Sequence, residues 1–211
     1  MADESLYLST YEAALAVVAT SMKKARLLID NLIINSFVAG MLFTVGGMFH
    51  LTIQALFMSA YDSNPGVVQL GCAAAYPIGL FYVVVMGADL FNSNILFFSV
   101  GVARGAVSIV DLAISWIISW WFNLVGTIFV CYIFSHYSGI TQEESYVTAS
   151  HILLEQKGLF SFVQILIKGM AGNFLVVLAI YLQLMAKPLY DKFMMMFLPI
   201  FLFVGNGYTH Y

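Results

Sequence analysis

Residues Val83–Val100 read VVVMGADLFNSNILFFSV, an apolar run with the polar stretch Gly87–Asn94, GADLFNSN, set into its middle. The apolar region around it, Val67 to Val102, is too long for one membrane span of roughly 20 residues and too short for two with a loop between them. Val67 to Met86 can cross alone, whereas Ile95 to Val102 cannot. Non-helical backbone at membrane depth persists only where it is buried in protein or lines a wet cavity, because its N–H and C=O groups otherwise lack partners. The stretch therefore predicts a broken helix at a pathway.

The rest of the chain places that element in a bilayer. Of its 211 residues 62% are hydrophobic and 9% charged, with mean hydropathy +0.92, against about 25% charged in an ordinary soluble domain. A water-soluble globule is excluded, and the expected class is an all-α, multi-pass membrane protein. A net charge of −3 and eight scattered Lys and Arg residues make no surface for nucleic acid. Cys72 and Cys131 sit in apolar runs without metal-ligand or disulfide spacing and are read as small buried hydrophobes. His50, His136 and His151 have no partner at ligand spacing, so neither a metal nor another cofactor is expected. Nothing in mid-span resembles a nucleophile elbow or paired catalytic aspartates, so no enzyme is expected.

Two domains follow. Residues 1–26 form an amphipathic helix lying along the membrane surface, opened by Ser9 with Glu12 as its capping-box partner and closed by Lys23, Lys24 and Arg26. Residues 27–211 form the transmembrane domain, with spans at about 32–58, 67–102 (broken), 109–134 and 159–185, and a half-span at 193–204 that ends at Gly205-Asn206-Gly207. Ser59–Gly66 carries turn chemistry, and Ser135–Lys157 is the one long polar connection. Asn123 and Gly126 in the third span, with Gly169 and Asn173 in the fourth, are small enough for close helix contact. Lys23, Lys24, Arg26, Arg104, Lys187 and Lys192 fall on one face and only Lys157 on the other. The positive-inside rule then puts the N-terminus in the cytoplasm, with the plasma membrane as the expected location.

Paired broken helices are a device of inverted-repeat transporters and channels. The first repeat here is span, broken span, span. The second offers a span and the first half of a broken one, so by symmetry it is expected to be incomplete at Tyr211. Gly87, Asp89 and Ser93 are assigned to the first break and Gly205 and Gly207 to the second. Lys168, the single charge within the fourth span, costs roughly 2.5–3.5 kcal/mol there when ionised, which marks it as functional by default. The structural alternative is a snorkelling lysine or one paired with Asp89. Asp89 itself is expected to fix the loop of the break.

Val84–Ser93, VVMGADLFNS, resembles the first signature of the formate/nitrite transporter family, and Lys168–Ala179, KGMAGNFLVVLA, is similar to its second, with Gly172 and Val177 as departures. NLVG in the third span, the KKAR end of the first helix and GYTH at Gly207–His210 resemble further family features in the same order, with a flavour of the fungal and eukaryotic branch. The resemblance implies an aquaporin-like fold of inverted three-helix repeats, assembled as a homopentamer with one pore per protomer. It further implies passage of formate, nitrite or, by extension, acetate or lactate, together with a proton. Leu90 and Phe91 would then form a constriction, and Asn92 would face His210. Lys168 would draw the anion inward. Thr209 stands where the family usually carries Glu before its His, a departure that bears on substrate range. The alternative expectation is a non-conducting family member or a regulatory subunit of a longer pentamer.

Overall fold

The computed structural model describes residues 6–208. Among these, α1 (Thr10–Ala25) starts at the predicted cap: the Ser9 hydroxyl accepts from the Glu12 N–H, and the Glu12 carboxylate accepts from the Ser9 backbone and hydroxyl. These bonds hold the Glu12 carboxyl below the usual carboxylate range. α1 packs a stripe of Ala13, Val17 and Ser21 inward against neighbouring helices.

Among the described residues four helical stretches are long and apolar enough to cross a membrane: Ile29–Leu56, Pro65–Met86, Ile109–His136 and Phe162–Met185. The first is α2 (Ile29–Leu56). The turn expected at Ser59–Gly66 is partly helical, as the short α3 (Met58–Ser63). The second crossing consists of α4 (Pro65–Ala75) and α5 (Pro77–Met86), divided at Pro77, which has no N–H to continue the ladder. Gly87 then takes φ +66°, the left-handed conformation that glycine adopts without steric cost, and the helix stops.

The chain is non-helical from Gly87 to Leu90 and resumes as α6 (Phe91–Ala103). The break is thus shorter than the polar stretch suggested. Ser93, assigned to the loop from sequence, lies in the first turn of α6, because Asn92, Ser93 and Asn94 are tolerated at a helix start where N–H groups are unpaired anyway.

The third crossing is α7 (Ile109–Phe129), capped by Ser108 with Asp111 and extended by a π-helical turn, Val130–His136. Cys131, in this turn, is exposed where a buried residue was expected. The supposed polar connection Ser135–Lys157 holds a helix, α8 (Glu144–Gly158). It rests on α2 through Ala55, Tyr146 and Ala149. The fourth crossing is α9 (Phe162–Met185), capped by Ser161 with Gln164, and α10 (Leu189–Gly205) follows.

The tightest contact joins α2 to α7. A Cβ on Gly126 would collide with the Phe37 carbonyl oxygen, and one on Gly40 with the Asn123 carbonyl, so the backbones touch only because both positions are glycine. Gly126→Ala is expected to force the helices apart and to destabilise by about 1–3 kcal/mol. Thermal unfolding of the purified protein in detergent measures this, and an unchanged midpoint would contradict the contact.

Candidate transport pathway

The break is held from outside itself. Asn123 on α7 accepts from the Phe91 N–H at 2.7 Å, and its amide donates to the Asp89 carbonyl at 3.0 Å and to the Ser36 carbonyl at 2.7 Å. The Asp89 N–H donates to the Asn35 carbonyl at 3.3 Å. The backbone groups freed at the interruption are thus satisfied by the neighbouring helices α2 and α7, as burial at membrane depth demands. Asn123 was expected to be a packing residue, and its larger part is this staple.

Asp89 is buried and forms an ion pair with Lys24 at the end of α1, the salt bridge found among the described residues. The pair ties the break to the end of α1. The alternative pairing of Asp89 with Lys168 does not occur. Lys168 instead sets its ammonium over the Phe160 ring, 3.3 Å from the centroid. Aromatic faces attract cations without neutralising their charge.

Two cavities occupy opposite ends of the core. One, of about 630 Å³, lies at the N-terminal end of α9 and the C-terminal end of α10; Lys168, His50, Tyr76, Gly205 and Gly207 are among its lining residues. We call it the α8-side vestibule, since α8 contributes Leu153, Gln156 and Lys157. The other, of about 320 Å³, lies at the opposite end of the same two helices, beside Gly87 of the first break, Ser93 of α6 and the end of α1. Lys168 and Gln183, which line the separate vestibules, stand about 22 Å apart along α9.

Between the vestibules the core is apolar and close-packed. Leu80 and Val83 of α5, Leu90 of the break, Val176 of α9, and Ile200 and Phe203 of α10 are all buried in one cluster. Near this level a polar pair joins the two halves, with the Asn92 amide donating to the Asn173 carbonyl oxygen at 2.7 Å. Asn92 and Asn173, assigned separately from sequence to the pathway and to packing, are thus brought together.

Leu90 is buried in this apolar cluster. Phe91, grouped with it from sequence, aims its ring edge at Trp116 on α7, with centroids 6.2 Å apart. Leu80 and Phe203 were missed; as apolar residues in an apolar chain they carry no contrast that sequence could register. Gly169 is buried on α9. Gly205 ends α10 and Gly207 follows at φ +66°, so the helix stops where the second break was expected. Gln69 donates to the Val204 carbonyl at 2.8 Å and satisfies that end. Thr209 and His210 lie outside the described residues. Among the described residues no cluster of three or more His, Cys, Asp or Glu side chains is placed to hold a metal.

The class defined by this arrangement is a multi-pass α-helical membrane protein whose broken-helix core separates two vestibules. The formate/nitrite transporter pattern matches residues 11–211, and the chain belongs to that family. It is 53% identical over 210 residues to a Saccharomyces cerevisiae protein described as an uncharacterized transporter, a match covering 100% of this chain and 34% of the relative. The chain thus spans about a third of that relative's length. Its fold is similar to that of a solved FNT family ion channel, with TM-score 0.84 and 24% identity over 95% of this chain and 78% of the other. It is also similar to a pentameric formate channel with formate bound, with TM-score 0.75 and 25% identity over 86% and 70% of the two chains.

Proposed function

We propose that this chain forms a transmembrane pathway for small monovalent anions of the formate and nitrite class, extending to acetate or lactate, moved together with a proton. The observation that carries this is the pair of vestibules at opposite ends of α9, closed from each other by an apolar plug, with Lys168 in one of them and no carboxylate paired with it among the described residues. An uncompensated ammonium at that depth lowers the cost of bringing an anion out of water. The plug then sets the chemistry. A carboxylate is costly to desolvate, whereas its protonated acid is neutral and passes an apolar constriction far more cheaply. His210, three residues beyond Gly207, is the proposed proton donor, since imidazole exchanges protons near neutrality.

Membership of the family and likeness to a pentameric formate channel support a homopentamer in the bilayer, each protomer with its own pathway. The excess of Lys and Arg on the α1 face supports a cytoplasmic N-terminus, and the plasma membrane is the proposed location. The test is uptake of labelled formate into proteoliposomes. The natural chain should exceed empty liposomes, and Lys168→Met should lower the rate at least tenfold at neutral pH while leaving insertion intact. Uptake no greater than that of empty liposomes, with insertion confirmed, would instead favour a non-conducting family member.

A further inference from the structure

The smaller vestibule, on the α1 side, carries its own arrangement for an anion. Lys192, in the first turn of α10, and Lys24 both line it, and no carboxylate is among its lining residues. Each nearby acid among the described residues is engaged elsewhere. Asp89 pairs with Lys24, Glu12 closes the cap of α1, and Asp191 accepts from the Tyr7 hydroxyl at 2.8 Å. Lys192 is left with the Gln183 side-chain oxygen, a long contact of 3.4 Å that carries no negative charge.

Gln183 is 5% exposed, so its amide is fixed in the wall. Because its oxygen turns toward Lys192, its NH₂ group is offered as a donor beside the same ammonium. Thr20 and Ser93 bring hydroxyls to the same cavity. Its volume of about 320 Å³ is roughly ten times the ~30 Å³ that one water occupies in the liquid, enough for a small carboxylate and its remaining waters.

We propose that Lys192 and Gln183 form a second anion station on the α1 side of the plug, taking a small monocarboxylate such as formate through the ammonium and the amide. This rests on the pathway described above and deepens it: Lys168 gathers the anion on one face and Lys192 on the other, so that saturation is set separately from each side. Lys24 is spent on Asp89 and contributes only its positive surroundings.

The test uses the full chain in vesicles sorted for a single orientation, with labelled formate presented to one face at a time. Lys192→Met should raise the half-saturating formate concentration about tenfold from the α1 face and change it less than twofold from the α8 face. Lys192→Arg, which keeps the charge, should stay within threefold of the natural chain on both. Gln183→Leu should raise it about threefold from the α1 face alone, and it decides the matter if Lys192→Met fails to insert. An unchanged value from the α1 face, or an equal rise from both faces, would overturn the station. Absence of formate flux in the natural chain would instead remove the pathway itself.

Discussion

Asn123→Ala is expected to be the most damaging single substitution in the chain. The alanine removes the acceptor of the Phe91 N–H and a donor to the Asp89 carbonyl, two backbone groups at a break that has no ladder of its own. A buried polar group left unsatisfied costs about 1–3 kcal/mol, so the pair costs roughly 2–6 kcal/mol, before the lost bond to the Ser36 carbonyl is considered. In a protein of this size about 1 kcal/mol moves the unfolding midpoint by roughly 2–4 °C. The midpoint in detergent should therefore fall by about 10 °C, and uptake should fall with it. Asn123→Asp should do no better, because it keeps the acceptor and loses both donations. A midpoint within about 2 °C of the natural chain would show that the break holds itself.

Breaking the Lys24–Asp89 pair comes next. Side-chain exposures of 14% and 2% put it largely out of water. Removing one partner of a buried pair costs about 3–5 kcal/mol, mainly because the other charge is left unpaired. Asp89→Asn and Lys24→Met should each destabilise by about that much, whereas the double substitution should cost clearly less than the two together. The cycle distinguishes a specific pair from two independently placed residues, since independent sites would add. The same pair ties the end of α1 to the break, so each single variant should also expose α1 to protease. Strict additivity with α1 still protected would contradict the pairing.

What was legible in the sequence was whatever stands out against an apolar background. Gly87, Asp89 and Asn92 are conspicuous in a run of Val, Leu and Phe, and the break followed from them; Lys168 is conspicuous in the same way and was singled out for the pathway. The serine three residues before Glu12 marked the start of α1; the same pattern at Ser108 and Ser161 caps α7 and α9 but went unread. Partnerships across the fold were not legible. Nothing local tells Asn123 to reach a backbone 32 residues away, or Lys24 a carboxylate 65 residues away. The plug residues Leu80 and Phe203 were hidden for the opposite reason, since the surrounding spans are as apolar as they are. α8 was missed because Glu143, at its N-cap, makes no side-chain capping bond and the helix mixes polar and apolar residues around its circumference. Lys192 was read only as a charge that orients the chain, and its place in a vestibule depends on which way α10 turns.

The central claim is that an anion crosses the plug of this chain together with a proton. Proteoliposomes loaded with a pH-sensitive dye and given a sudden inward formate gradient at pH 7 test it most directly, read against empty liposomes for the acid that crosses lipid unaided. Rapid internal acidification in step with labelled formate is expected, about one proton for each anion, with no membrane potential. Formate accumulation without acidification, accompanied by an inside-negative potential, would contradict it.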